Sequence, residues 1–250
     1  WWAVFHGCRP YDFDMVNTGR ETFLLPVEWV DGWPLILPQG EQIPVVMEKD
    51  DLQPSDDIPP TTGNFTFVDQ FRSNQLDYSW WMIRTPRHDF YSIGKGYLEL
   101  TPLPITIEEM KNPAALLRSQ QHTTFEAETK FDFSPAKEGD FAGFTLFQNE
   151  KYHFVFGKTI IDGNVMLVVN RVEKDKKTLA KVALTKRESN RPIYLKVAAD
   201  GRDYNFLYST DGKSWIILVE GAEGGNLSSR KAGGFIGALI GLYATSTFEI

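Results

Sequence analysis

The stretch "FEAETKFDF", residues 125–133, alternates strictly between two kinds of side chain. One set is Phe125, Ala127, Thr129, Phe131 and Phe133, and the other is Glu126, Glu128, Lys130 and Asp132. Successive side chains of a strand point to opposite faces, so this period of two predicts an antiparallel strand. We expect its first set to face a core and its charged set to face solvent.

Similar short segments follow along the chain. They are "FAGFTLF", "YHFVFG", "VMLVVNRV", "LAKVAL", "IYLKVAA", "YNFLYS" and "SWIILV", with turns such as "DGN", "ADGRD" and "TDGK" between them. Many short strands at this spacing predict an all-β antiparallel sandwich. One segment, "TIEEMKNPAALLRSQQ", starts with a capping-box pattern at Thr106 and Glu109 but contains Pro113, so we expect a helical turn and then an edge strand.

The composition changes sharply between residues 44 and 63, where the sequence is "PVVMEKDDLQPSDDIPPTTG". Prolines, acids and small polar residues are typical of a linker. We therefore divide the chain into a leading fragment (residues 1–44), a linker (45–62) and a sandwich (63–250). The leading fragment contains the strand candidates "WWAVFHG", "TFLLPVEWV" and "WPLIL", with an Asp-Gly turn signal in "VDGW". Three short strands are too few for a core, so the fragment must dock onto something, as one blade of a β-propeller does.

Composition excludes several classes of function. The chain has 250 residues, 42% hydrophobic and 14% aromatic, which is ample for a packed core. The net charge of −7 argues against nucleic acid as a partner. The longest apolar run, residues 233–244, is shorter than the roughly 20 residues of a membrane-spanning helix. Cys8 is the single cysteine, so no intrachain disulfide forms.

The first residues, "WWAVFHG", resemble the middle of a strand, and we expect the chain to be a piece of a longer protein. Whether a secretory signal was removed from that protein is left open by these residues. The compartment is therefore open as well: periplasmic, extracellular or cytoplasmic.

Arg20, in "NTGRETFLLPVEW", is the first candidate for chemistry. A guanidinium offers five donors in a rigid fork and suits sugar hydroxyls or a carboxylate. The sequence by itself favours the alternative that Arg20 pairs with Glu21 or another acid to hold a turn. His6 lacks a second histidine at metal-ligand spacing. Asp12, Asp14 and Glu21 do not by their spacing make the facing carboxyl pair of a glycosidase.

The sandwich has its own candidates. Trp80 and Trp81 are adjacent, so they point to opposite faces of a strand and at most one is available to stack on a sugar. Asp69, in "FVDQF", is a calcium candidate because hard cations prefer carboxylate oxygen. No Ser-His-Asp set, phosphate loop or Cys/His cluster stands out in the sequence.

Several motifs together resemble one enzyme family. "GCRPYD" and "NTGRETFLLPVEWVDGWPLI" resemble the end of the five-bladed propeller of glycoside hydrolase family 43, the β-xylosidase and α-L-arabinofuranosidase group. "RSQQHTTFEAETKFDF", "YNFLYSTDGKSW" and "GGFIGALIGLYA" resemble its concanavalin A-like C-terminal domain. The resemblance covers nearly the whole chain and implies a jelly-roll sandwich preceded by part of a propeller blade.

The resemblance also implies roles for residues. In this family a general-base Asp, a general-acid Glu and a further Asp hydrolyse the glycoside with inversion, and they belong to blades that would precede Trp1, so no catalytic residue is assigned here. The arginine of the family's Gly-Arg-Glu-Thr motif contacts the sugar and matches Arg20, which reverses the preference stated above. Phe235 matches an aromatic that the sandwich lends to one wall of the pocket. The chain ends in "TSTFEI" rather than in the family's usual final strand, which leaves a calcium ligand there open.

Two functional hypotheses follow. The first is the C-terminal part of an inverting glycoside hydrolase acting on xylosides or arabinosides, inactive by itself. The second is a non-catalytic β-sandwich that binds carbohydrate. Both predict a xylo- or arabino-oligosaccharide as partner, no nucleic acid and no membrane, and both leave a homo-oligomer open. No cofactor is expected, apart from the structural calcium considered at Asp69.

Overall fold

A computed structural model describes residues 1–44, 46–47 and 63–246 of the chain. The predicted linker, residues 45–62, lies outside the described residues except for residues 46 and 47. The last four residues of "TSTFEI" also lie outside them. Within the described part, no helix is long and apolar enough to cross a membrane.

The leading fragment forms two small antiparallel strand pairs. They are β1 (Trp2–Gly7) with β2 (Glu21–Pro26), and β3 (Glu28–Val30) with β4 (Trp33–Leu35). The predicted Asp-Gly turn joins β3 to β4, with φ of 51° at Asp31 and 81° at Gly32. The predicted single strand "TFLLPVEWV" is interrupted after Pro26, because β2 pairs with β1 whereas β3 turns back onto β4.

Two larger sheets form the sandwich, as predicted. The strands are β5 (Trp81–Met82), β6 (Tyr91–Gly94), β7 (Tyr97–Leu100), β8 (Ala114–Ser119), β9 (Thr124–Phe131), β10 (Phe141–Asn149), β11 (Tyr152–Ile161), β12 (Asn164–Glu173), β13 (Asp175–Ala183), β14 (Ile193–Asp200), β15 (Asp203–Ser209), β16 (Ile216–Glu223) and β17 (Leu239–Thr245). The seven-stranded sheet has the order β13-β12-β11-β10-β17-β8-β5, and the four-stranded sheet has the order β16-β15-β14-β9. β6 and β7 form a separate hairpin.

The core lies between the two large sheets. Phe125, Ala127 and Phe131 of β9 pack against it, which confirms the alternation that opened the sequence analysis. The charged face of β9 lies outside, where Glu126 and Glu128 contact Lys196 of the neighbouring strand. The fully buried aromatic and aliphatic residues of the core include Phe154, Phe156, Leu195, Val197, Tyr204 and Phe206.

The seven-stranded sheet is buried on its second face too. Ile107, from the segment that contains the capping-box pattern, covers Tyr243 of β17 and donates its backbone N–H to the tyrosine oxygen at 3.0 Å. The capping contact forms, with the Thr106 N–H 2.8 Å from Glu109 Oε1, but the segment makes only a turn. The predicted edge strand, β8, lies inside the sheet between β17 and β5, because the two-residue β5 covers its outer side.

Two short helices complete the described structure. They are α1 (Lys186–Ser189) and α2 (Ser229–Ala232), and a 3₁₀ turn (Gly224–Leu227) leads into α2. Gly233, Gly234, Phe235, Ile236 and Gly237 then connect α2 to Ala238 and β17.

Candidate functional site

The loop between β1 and β2 docks onto the sandwich through Asn17. This residue is fully buried, and its amide Nδ2 donates to the Tyr204 hydroxyl at 3.1 Å and to the Gly224 carbonyl at 3.0 Å. The Tyr204 hydroxyl in turn donates to Gln120 Oε1 at 3.0 Å. Burial raises the pKa of Tyr204 to about 12, so this hydroxyl remains a donor at neutral pH. The loop is thereby joined to β15 through buried hydrogen bonds.

Gly19 makes the closest approach of the loop to the sandwich. It forms an isolated antiparallel bridge with Ile236, and its φ of 73° is in the left-handed region that favours glycine. A Cβ atom at this position would lie 2.6 Å from the Ile236 carbonyl carbon and 2.7 Å from the Gly237 Cα. Only a residue without a side chain fits, which explains the glycine of the "NTGR" turn.

Glu21 belongs to Arg9 rather than to Arg20. Arg9 Nε and Nη2 donate to the two carboxylate oxygens of Glu21, each at 2.7 Å. Arg9 Nη2 also donates to the backbone carbonyl of Gln121 at 2.9 Å, which fastens the β1–β2 pair to the sandwich. The hydrogen bonds to Glu21 raise the pKa of Arg9 further. The alternative of an Arg20–Glu21 ion pair is therefore wrong.

Arg20 and Phe235, the two residues that the resemblance assigned to substrate, lie in contact. The guanidinium carbon of Arg20 is 4.2 Å from the centroid of the Phe235 ring, and the Arg20 N–H donates to the Phe235 carbonyl at 3.4 Å. Both side chains are exposed, Phe235 to 68%. Arg20 makes no ion pair with any residue in the described ranges. We call these two residues the Arg20–Phe235 pair.

Stacking leaves the polar edge of the guanidinium free. The attraction to the ring acts through the flat face of the guanidinium, whereas its N–H donors lie in the plane and point outward. A stacked arginine is also held in one orientation, so less side-chain freedom is lost when a ligand binds. The Arg20–Phe235 pair thus presents oriented donors beside an exposed aromatic ring, an arrangement suited to hydroxyl or carboxylate groups on a ring-shaped ligand.

Two adjacent side chains of β10 donate hydrogen bonds to the backbone of the segment that carries Phe235. Gln148 Nε2 donates to the Ile236 carbonyl at 3.0 Å, and Asn149 Nδ2 donates to the Ala232 carbonyl at 3.1 Å. Gln148 is nearly fully buried and its Oε1 has no partner in the described structure. The position of Phe235 therefore depends on the sandwich as well as on the leading fragment.

The other polar candidates of the leading fragment do not join this pair. His6 is exposed on β1. Asp14 forms an ion pair with Arg230 of α2 at 3.3 Å, and Glu21 is occupied by Arg9. Asp12 lies at the far side of the loop, 3.2 Å from a Cβ placed on Gly201. The structure brings no two of these carboxylates into a facing pair.

Asp69 serves as a hydrogen-bond acceptor. Its Oδ1 accepts the Phe71 N–H and its Oδ2 accepts the Trp80 indole N–H, both at 2.8 Å. Two N–H donors suit an anion and do not suit a cation, and the described ranges contain no group of three His, Cys, Asp or Glu side chains able to hold a metal. Calcium at Asp69 stays a prediction that these contacts do not support. As the alternation required, Trp80 points inward and Trp81 is 54% exposed.

The fold and the exposed pair together define the class of protein. The chain is a concanavalin A-like β-sandwich with a docked strand fragment that contributes half of an exposed arginine–aromatic pair. The chain belongs to the family of β-xylosidase C-terminal concanavalin A-like domains, whose sequence model matches residues 68–249. The predicted fold class and the resemblance are both confirmed.

Individual relatives agree with this assignment. The chain is 29% identical over 249 residues to a non-reducing end α-L-arabinofuranosidase of Bacteroides ovatus and 30% identical over 251 residues to a xylosidase/arabinosidase of Butyrivibrio fibrisolvens. Each alignment covers 98% of this chain but only 45% and 46% of the relatives. The crystal structure of a glycoside hydrolase family 43 protein from Bacillus licheniformis superimposes with a TM-score of 0.83 at 25% identity, over 100% of this chain and 48% of that one. The chain thus spans about half the length of these relatives.

Sequence reasoning missed the residues that support the pair. Arg9, Asn17, Gln148 and Asn149 hold Arg20 and Phe235 in place, yet no pattern in the sequence assigns them this role. The one available signal was the glycine content on both sides: Gly19 before Arg20, and Gly233, Gly234 and Gly237 around Phe235. Closely spaced glycines often mark a place where two backbones approach each other.

Proposed function

We propose that this chain is the C-terminal part of a glycoside hydrolase that cleaves xylosides or arabinosides with inversion, and that its sandwich packs on and shapes the active-site pocket. The contact between Arg20 and Phe235 is the observation that carries the proposal. Two segments far apart in the sequence present one exposed surface, and the relatives named above are arabinosidases and xylosidases.

In this proposal, the Arg20–Phe235 pair binds the sugar without acting on the reacting atoms. The in-plane N–H groups of Arg20 donate to sugar hydroxyls, and Phe235 forms an apolar wall beside them. Inversion needs a carboxylate that takes a proton from water and a carboxylic acid that protonates the leaving oxygen, roughly 6.5–9.5 Å apart. Those two acids would come from propeller blades outside these 250 residues.

The exposed apolar surface of the leading fragment supports the same proposal. Val4 and Leu24 are opposite each other on the outer face of the β1–β2 pair and are 69% and 54% exposed. Trp29 and Trp33, in the second strand pair, are 51% and 78% exposed. Apolar side chains concentrated on small strand pairs are typical of a surface that another part of a protein covers. A neighbouring propeller blade is the partner that we propose.

The test uses the protein produced from the whole open reading frame that contains this chain. We expect it to hydrolyse an aryl β-xyloside or an aryl α-L-arabinofuranoside, and we expect Arg20→Met to lower kcat/KM by about 10- to 100-fold. That range corresponds to losing about one hydrogen bond from a charged donor. Arg72→Met, which removes an exposed arginine of the sandwich, is the matched control and should leave kcat/KM unchanged.

The 250-residue chain by itself should not hydrolyse either substrate. Turnover by the chain alone would contradict the assignment of the catalytic acids to other blades. Equal activity of the Arg20→Met and Arg72→Met proteins would remove the role of the pair. If the whole protein cleaves neither substrate while the chain binds xylan, the non-catalytic binding sandwich is the correct function.

A further inference from the structure

A concave surface that does not include Arg20 or Phe235 lies on the strands β11, β12 and β13. It is a cleft of about 550 Å³. Arg171 is directly opposite Phe154 on one side and Lys177 on the other, and Tyr152 is opposite Glu173. Directly opposite residues share a face, so the cleft lies on the sheet face that also carries the core residue Phe154. Lys174, at the β12–β13 turn, and Lys231, of α2, complete the lining.

The cleft carries a positive charge although the whole chain is acidic, at −7. Its cations outnumber its acids: Arg171, Lys174, Lys177 and Lys231 against Glu173 and Asp175. Glu173 contacts Lys231 at 2.6 Å and Arg171 at 3.7 Å. The ammonium groups of Lys174 and Lys177 have no ion-pair partner within the described ranges. Two cations are therefore available to a ligand.

The rim of this cleft is connected to the loop that carries Phe235. The Lys174 N–H donates to the Lys151 carbonyl at 2.8 Å, and the Lys151 N–H donates to Asn149 Oδ1 at 2.9 Å. Asn149 Nδ2 then donates to the Ala232 carbonyl at 3.1 Å, three residues before Phe235. Asn149 thus supports the Phe235 loop and is linked through Lys151 to Lys174 of the cleft.

We propose that this cleft binds an acidic sugar, with the carboxylate of a uronic acid unit held by Lys174 and Lys177. The partly exposed ring of Tyr152 offers an apolar face for the sugar ring, and the carboxylates of Glu173 and Asp175 accept hydrogen bonds from its hydroxyls. The lining therefore offers two ammonium groups to a carboxylate and carboxylate oxygens to hydroxyls, which suits a ligand with one carboxylate and many hydroxyls. That the ligand is a saccharide rests on the proposed function.

Binding is measured by calorimetry on the 250-residue chain at low and at physiological salt. The probes are a xylo-oligosaccharide with one glucuronic acid branch, the same molecule with its carboxyl group reduced to an alcohol, and inorganic phosphate. We expect the acidic oligosaccharide to bind at least about tenfold more tightly than its reduced form. The double variant Lys174→Gln/Lys177→Gln should lose about tenfold in affinity for the acidic form. Lys181→Gln/Lys186→Gln removes two exposed lysines elsewhere and should lose nothing.

Three results would overturn the proposal. They are equal affinity for the acidic and the reduced oligosaccharide, equal loss in the two double variants, and displacement of the acidic oligosaccharide by phosphate at the same concentration. These outcomes are distinct from a failure of the proposed function, because that function is tested with neutral aryl glycosides on the whole protein and with Arg20→Met. The two failures are therefore distinguishable, because each is read out with a different substrate or ligand and with a different variant.

Discussion

Replacing Gly19 by alanine tests whether the leading fragment and the sandwich make one site. The new methyl group would approach the backbone of Ile236 and Gly237 to 2.6 and 2.7 Å, far inside van der Waals contact. A left-handed backbone costs an alanine about 1 kcal/mol. To relieve the overlap, the loop must withdraw from the segment that carries Phe235.

Withdrawal breaks two hydrogen bonds between the loop and that segment. They are the bond from Ala238 N–H to the Asn17 carbonyl, 2.7 Å, and the bond from Arg20 N–H to the Phe235 carbonyl, 3.4 Å. At about 0.5–1.5 kcal/mol each, these add about 2 kcal/mol to the backbone cost. We therefore expect about 3 kcal/mol of lost docking free energy in Gly19→Ala.

Gly32→Ala is the matched control. Gly32 has a similar φ, 81°, and nothing lies within 4 Å of its added methyl group. This variant isolates the backbone cost, so it should lose only about 1 kcal/mol, in the free energy of the β3–β4 hairpin.

Hydrogen exchange of the Ala238 amide, followed by NMR or mass spectrometry, measures the docking directly. The loss of about 3 kcal/mol in docking free energy predicts about 150-fold faster exchange at Ala238 in Gly19→Ala and no change there in Gly32→Ala. Unchanged exchange at Ala238 in both variants would show that Gly19 does not hold the two segments together, and our account of the Arg20–Phe235 pair would be refuted.

Three further predictions concern buried polar groups. Asn17→Ala should lower the free energy of unfolding in urea by about 1–3 kcal/mol, because the Gly224 carbonyl loses its donor. A smaller decrease in Asn17→Ala than in Thr18→Ala would contradict this prediction. Lys158→Met should lower the free energy of unfolding by about 3 kcal/mol, because the fully buried ammonium donates to backbone carbonyls of residues 133, 188, 189 and 191. Lys181 is exposed, so Lys181→Met should leave the free energy of unfolding almost unchanged. Burial lowers the pKa of His153. Below about pH 6.5 the unfolded chain therefore binds a proton that the folded chain does not, and the free energy of unfolding should fall as the pH drops towards that lowered pKa. His153→Gln should weaken this pH dependence in urea titrations, and an unchanged pH dependence would exclude His153 as its source.

Local patterns predicted the strands well. The alternation in β9 and the turn signals between the following segments located the strands β9 to β16 to within a few residues, whereas no local pattern predicted β5, β6, β7 or β17. The physical reason is that a period of two and an Asp-Gly or Asp-Gly-Asn turn are properties of neighbouring residues alone. Predictions that depended on pairing were weaker. β8 looked like an edge strand, yet β5, more than thirty residues earlier, covers it.

The partner of Arg20 could not be read from its neighbours. Glu21 is adjacent and of opposite charge, but it faces Arg9 across the β1–β2 pair. Phe235 reaches Arg20 because Gly19 fits against Ile236. Such a contact depends on how two distant backbones approach, which no local pattern encodes.

The sequence by itself determined that the chain is an all-β protein with a half-buried strand at 125–133, and its motifs indicated the family to which it belongs. Only the tertiary structure decided which charges are used internally and which remain available. Arg9 and Glu21 neutralise each other, Arg20 stacks on Phe235, and Lys174 and Lys177 are left facing a cleft. The reason is physical: hydrophobic periodicity acts between neighbours along the chain, whereas the partner of a charged group is fixed by distances of a few ångströms between segments that the fold brings together.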